Sequence, residues 1–207
     1  MRVMALVKEE PTPGVRRKRD PKGTRERLVR AALDLFTSQG YHASTTPQLA
    51  AKAGIAEGTI YRHFDSKEQL LNEIYRAAVK LFTHPVRQLH RSLTCRESLF
   101  QVSSAWQDLA QRNPPLIKLV FSTDLTGLLD ARSRDARREF RVELEKVIAA
   151  GKASGEVRAG SVEVWTDVWL RLVVLVLERT ATKEWTVQHS ASQQVFESAW
   201  DAIRAPS

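Results

Sequence analysis

Residues 45–70, TTPQLAAKAGIAEGTIYRHFDSKEQL, hold two short helical patterns joined through a glycine. Thr46 followed by Pro47 reads as a helix start. The threonine caps, and proline stands at the first helical position, where its missing N–H costs nothing. Leu49, Ala50 and Ala53 face inward, and Gly54 stops the helix after barely two turns. A third helix is predicted over about 57–64, with Ile60 and Phe64, four apart, on its buried side. Gly58 and Arg62 lie opposite, flanked by Thr59 and Tyr61. Asp65 and Ser66 then open a fourth helix, with Ser66/Gln69 or Asp65/Glu68 as a capping box.

Upstream, Leu28, Ala32, Leu35 and Phe36 mark one face of a first helix, which Thr24 can cap and Gly40 ends. Two short helices around a tight turn, braced by a longer first one, form the helix-turn-helix pattern. The outer face of the third helix is small at its start, then polar, aromatic and basic. Such a face suits a major groove. Small residues let backbones approach, hydroxyls bind phosphate, and arginine reaches base edges.

On these residues the chain resembles the TetR family of regulators. The blocks GTIYRHF and SKEQL are the most specific part, and about 47 residues match. The resemblance implies DNA contacts by Glu57, Gly58 and Thr59 at the groove, and by Tyr61 and His63 to the backbone; Arg62 joins them from its place on the outer face of the helix. It also implies that Lys67 binds a phosphate and that Thr46 both caps and bonds one. Ala56 departs in chemistry, since it stands where a capping hydroxyl would be favoured. Glu57 has two readings: acceptor from a cytosine amino group, or, as favoured here, partner of the positive end of the helix dipole.

Charge supports the nucleic-acid reading. The formal net charge is +8, and residues 11–30 alone carry eight basic against two acidic residues. Residues 1–23, with Pro11, Pro13, Gly14, Pro21 and Gly23, read as a flexible basic arm. Residues 24–70 form the DNA-binding domain, and residues 71–207 an effector-binding and dimerisation domain.

This second domain reads as long helices, so the fold class is all-α. Leu70, Leu71, Ile74 and Ala78 make the inward stripe of the fourth helix, which ends near Pro85. Thr94 and Glu97 box the start of a fifth, whose inward residues include Val102 and Trp106. Asn113, Pro114 and Pro115 end it. A short apolar segment over 116–121 follows, then a helix over about 132–150 closed by Gly151. Ser161 caps a helix running to about residue 179, and the last spans about 192–204. The helix after Ser161 is apolar almost all round in its second half, which requires burial on both sides. The last helix has two stripes, Val195/Ala199/Ala202 and Phe196/Trp200/Ile203. One serves its own domain. The other, with Trp200, serves a second copy in a four-helix interface.

Trp106, Phe121, Trp165 and Trp169 are the candidates for lining an effector cavity, plain core packing being the alternative. Arg132, Arg134, Arg137, Arg138 and Arg141 read as a solvated charged face rather than an anion site. The single cysteine, Cys95, permits no disulfide and no Cys/His cluster, and reads as inert. His84 and His90 lack partners at metal spacing, so neither metal nor cofactor is assigned. No apolar run reaches the ~20 residues of a membrane span, and the chain reads as soluble and cytoplasmic. No nucleophile elbow, phosphate loop or dinucleotide fingerprint appears, so an enzyme is not indicated. The implied function is a repressor that a small lipophilic or aromatic effector releases from palindromic double-stranded operator DNA. Activation, and architectural or non-specific DNA binding, are the competing readings.

Overall fold

The computed structural model describes residues 21–122 and 125–206. It contains α1 (Pro21–Ser38), α2 (Thr46–Ala53), a 3₁₀ helix (Glu57–Arg62), α3 (Lys67–Arg87), α4 (Cys95–Arg112), α5 (Pro115–Phe121), a 3₁₀ turn (Thr126–Leu128), α6 (Ala131–Ala153), α7 (Val162–Ala181) and α8 (Ser190–Asp201). One isolated bridge, Val157 with Arg204, is the β pairing present among the described residues. The fold is all-helical, as its periodicity predicts.

The N-terminal unit packs α1 against α2 and the 3₁₀ helix through Leu28, Ala32, Phe36, Leu49, Ile60 and Phe64, all buried. α1 begins at Pro21, not after a Thr24 cap, so residues 21–23 belong to the helix rather than the arm. The remainder of the predicted arm, with Arg16–Arg19, lies outside the described residues.

α3 carries the chain into the second unit. Ser66 caps it through the Gln69 N–H, and its buried stripe runs Leu70, Leu71, Ile74, Ala78 and Phe82. It continues two residues past Pro85. The Thr94–Glu97 capping box forms on α4 as predicted, with both reciprocal bonds present.

Two expectations fail here. Gly151 does not close α6 but sits inside it, because α4 approaches closely at that point. A Cβ at residue 151 would stand 2.4 Å from Cys95 Sγ. The stripes of α8 are also assigned the other way round. Phe196, Trp200 and Ile203 are buried in their own domain, Trp200 at 8% exposure. Val195 and Ala202 remain half-buried, while Ala199 is fully buried. On α7, Trp169, Val173, Val176 and Leu177 face the core, and Val164 is 52% exposed.

Candidate nucleic-acid interface

The segment expected to read DNA is a 3₁₀ helix, Glu57–Arg62, rather than an α-helix. Its backbone bonds span three residues, Thr59 N–H to the Ala56 carbonyl at 2.9 Å and His63 N–H to the Ile60 carbonyl at 2.9 Å. Ala56 supplies no side-chain cap, and Gly58 lowers α propensity inside a segment of six residues. Ile60 and Phe64 anchor it in the core at 1% exposure each. Glu57, Gly58, Tyr61 and Arg62 are exposed, and Thr59 and His63 half-buried. The structure thus brings six of the predicted contact residues onto one short segment, four of them on its open side. A Cβ built on Gly58 meets nothing within 4 Å, so the fold leaves the space above it empty.

Thr46 is not the cap of α2. Thr45 is, through a reciprocal box with Gln48. The Thr46 hydroxyl instead donates to Glu57 Oε1 at 2.9 Å, tying the start of α2 to the start of the reading segment. Glu57 therefore has an intramolecular partner that neither sequence reading anticipated.

Lys67 is also committed within the chain. Its ammonium donates to the carbonyls of Tyr41 at 3.0 Å and Ser44 at 2.8 Å, and stands 4.1 Å from the centroid of the Tyr41 ring. Two of its three N–H groups are used, which leaves one for a phosphate. Beside it the Tyr41 hydroxyl donates to Glu68 Oε1 at 2.8 Å. That bond is the main reason the Glu68 carboxyl is held below its ordinary range, while burial pushes the Tyr41 phenol up. Arg25 pairs with Glu73 and lies 4.7 Å from the Phe64 ring centroid. The start of α1 and the turn that follows it are thereby fixed to α3.

In the second unit Trp106, Phe121 and Trp169 do meet. Trp106 lies 5.8 Å from Trp169 and 6.4 Å from Phe121, centroid to centroid. Sequence reasoning missed Phe82 and Phe140, which complete the cluster at 5.8 and 5.6 Å from Trp106. Phe82 continues the spacing of Ile74 and Ala78, and Phe140 that of Leu144 and Ile148, so periodicity could have found both. Trp106 and Trp169 are fully buried, and these rings fill the space between the helices. Trp165 belongs elsewhere. Its indole N–H donates to the Ala159 carbonyl at 3.2 Å, and Arg158 stands 5.5 Å from its ring. A Cβ at Gly160 would meet that indole at 2.9 Å, so the glycine lets the ring fold back over the loop.

Four of the five arginines of α6 have local partners, Arg134 through the Leu129 carbonyl. Arg141 binds Asp167 and Glu145, Arg138 pairs with Asp135, and Arg137 donates to Thr126. Burial, and then Glu156, raise the Cys95 thiol to about 12, which leaves it unreactive. Among the described residues no group of three or more His, Cys, Asp or Glu is placed to hold a metal, and no helix is long and apolar enough to cross a membrane.

A family model described as bacterial regulatory proteins, tetR family, matches residues 28–74. The nucleoid occlusion factor SlmA of Marinobacter nauticus is 30% identical over 137 residues, covering 66% of this chain and 70% of that protein. The HTH-type transcriptional regulator TcmR of Streptomyces glaucescens is 28% identical over 211 residues, covering 93% of this chain and 87% of its own. The crystal structure of the transcriptional regulator FadR from Bacillus subtilis, in complex with stearoyl-CoA, superposes with a TM-score of 0.65 at 22% identity. The match covers 86% of this chain and 98% of that one.

Proposed function

The chain belongs to the TetR family of bacterial regulatory proteins, and on that premise we propose that it represses transcription from a two-fold operator and is released by a lipophilic effector. The observation that carries the reading is the 3₁₀ segment, with Gly58, Tyr61 and Arg62 outward over open space and Ile60 and Phe64 locked beneath. Tyr61, His63 and the remaining N–H of Lys67 hold phosphates, and Thr46 joins them when its hydroxyl turns from Glu57 to the DNA. Gly58, Thr59 and Arg62 meet base edges, and Glu57, bonded to Thr46, stands beside them at the start of the segment. One such segment reads only a few base pairs. Two copies of the chain, joined through the outward faces of α7 and α8, therefore read half-sites about one helical turn or more apart.

The effector enters the aromatic interior around Trp106, Phe121 and Trp169 and displaces rings now in contact. The stearoyl-CoA bound by the similar FadR supports a lipophilic ligand of this kind. A second reading has one specific support. The relative named as a nucleoid occlusion factor favours DNA binding that serves something other than a promoter. Selection of bound DNA from a random pool tests both. The repressor reading expects a dyad-symmetric sequence that resists competition by random DNA at physiological salt. Sites with no dyad overturn it.

A further inference from the structure

A cavity of about 630 Å³ lies between the two units, away from the aromatic interior. Its walls come from α1, Lys52 of α2, the corner between α4 and α5, and the end of α7. Three features point to an occupant. The first is Asn113 at the α4–α5 corner, 4% exposed, whose amide Nδ2 has no hydrogen-bond partner. Buried amides in native proteins are nearly always satisfied, and an orphaned donor in a cavity wall calls for an acceptor. The second is uncancelled positive charge. Among the described residues Asp34 supplies the only carboxylate of the lining, and it is paired with Lys52. Arg27 rests on the Ala53 carbonyl and the Thr24 hydroxyl, neutral acceptors that leave its charge standing. Lys183 has no ion-pair partner among the described residues. The third is an apolar floor of Ala31, Pro114, Pro115 and Ala181.

We propose that this junction binds an amphipathic organic monoanion, its carboxylate taken by Asn113, Arg27 and Lys183 and its apolar body seated on the prolines and alanines. The volume suits a small ligand. Because the walls belong to both units, the occupant clamps the DNA-reading unit to the effector unit.

The probe is 1-naphthoate, titrated calorimetrically into the full chain without DNA, with 1-naphthamide as its neutral isostere. Naphthoate should bind about tenfold or more tighter than naphthamide, since charge-assisted bonds outweigh neutral ones. Lys183→Gly is the cleanest variant. Lys183 has φ +63°, a conformation glycine adopts without strain, so the fold is kept while the cation is lost. It should weaken naphthoate roughly five- to tenfold and leave naphthamide unchanged. Asn113→Leu should also weaken naphthoate. Should that variant melt early, Arg27→Gln replaces it. Equal affinity for naphthoate and naphthamide, or naphthoate binding untouched by Lys183→Gly and its companion, overturns the proposal. No DNA is present, so the outcome is separate from that of the operator reading.

Discussion

Val164→Asp should convert a homodimer into a folded monomer. Val164 lies on the outward side of α7 and is 52% exposed in the single chain. An aspartate there stays in water when the chain is alone, so the monomer's stability should change by no more than about 0.5 kcal/mol. In a two-fold interface the same position is covered, and each substitution is present twice. Burying the rest of a valine side chain contributes about 1 kcal/mol per copy. Replacing it by a carboxylate with no partner costs several more, so ~4 kcal/mol per copy is a conservative figure. Even one copy's share raises the dissociation constant about a thousandfold. Trp200→Asp, which the sequence alone recommends for this test, is the wrong probe. At 8% exposure Trp200 is part of its own domain's core, and a charge there unfolds the chain whether or not it dimerises. Sedimentation equilibrium at micromolar concentration, with thermal melts of both variants, separates the cases. A Val164→Asp protein that stays dimeric and binds operator normally refutes the assignment of this face, and a monomeric wild type refutes the dimer.

Gly58→Ala should leave stability within about 0.5 kcal/mol of wild type, since the added Cβ meets nothing. It should nonetheless change operator preference and cost about 1–3 kcal/mol on the wild-type site, read by fluorescence anisotropy. Lys67→Ala should lower the salt slope of binding by about one unit if the free N–H holds a phosphate. It should also destabilise the fold by ~1–3 kcal/mol, because two carbonyls lose a charged donor. A lower melting point with an unchanged slope would make Lys67 a brace alone. Tyr41→Phe removes the bond that holds Glu68 below its ordinary value of 4.5. A depressed carboxyl contributes stability above its unfolded pKa and loses it as pH falls through the folded one. The variant should therefore be less stable than wild type at neutral pH, with the gap closing below about pH 4.5 in urea melts; a gap that persists in acid excludes the carboxyl as its source. For the effector, Trp106→Phe should abolish most of the ligand-induced change in tryptophan fluorescence and Trp165→Phe should not. The reverse pattern would move the site to the α7 loop.

Patterns with one dominant period were legible in the sequence. The Thr94–Glu97 box, the glycine stop at Gly54 and the inward run of α3 all follow from local spacing. Where two local choices were equivalent, packing decided. Thr45 and Thr46 are chemically the same, and only the reach of Gln48 back to the Thr45 N–H selects the former as cap. Both stripes of α8 are apolar enough to be core, so the sequence holds no preference between a domain and a partner. Gly151 looks like a helix stop because glycine usually is one. Its actual reason is a close approach of Cys95 from a helix more than fifty residues earlier, which no local window contains. Trp165 stands four residues before Trp169 and so shares its helix face on paper. The Ala159 carbonyl and the space over Gly160 draw it back onto the loop instead.

In the proposed switch the link between effector and DNA runs along α3, because that helix is bonded at both ends to what must move. Near its start Lys67 holds the Tyr41 and Ser44 carbonyls, Glu68 holds the Tyr41 hydroxyl, and Glu73 holds Arg25 of α1. About 22 Å further along, fifteen residues at 1.5 Å each, the Phe82 carbonyl accepts the Trp106 indole N–H at 2.9 Å, and the Phe82 ring meets Phe121 at 5.1 Å. Between these ends Arg76 binds Asp130 at 2.9 Å, and Asn72 donates to the Leu128 carbonyl and accepts from the Asp130 N–H. A ligand that parts Trp106 from Phe121 must shift Phe82, and a helix transmits that shift as a tilt. The midpoint bonds to the 126–130 turn act as the pivot, since they hold α3 where neither end is free to slide. The N-terminal unit meets the second unit at two places, α3 and the packing of α1 on α5, so a tilt of α3 moves it relative to α5. The reading segment's own core residues, Ile60 and Phe64, are packed in a unit that Arg25, Tyr41 and Ser44 tie to the first turns of α3. A few ångströms at that end, repeated in the second copy, are enough to take two reading segments out of register with successive grooves. Coupling of ~1–3 kcal/mol between ligand and operator is the scale such a connection supports.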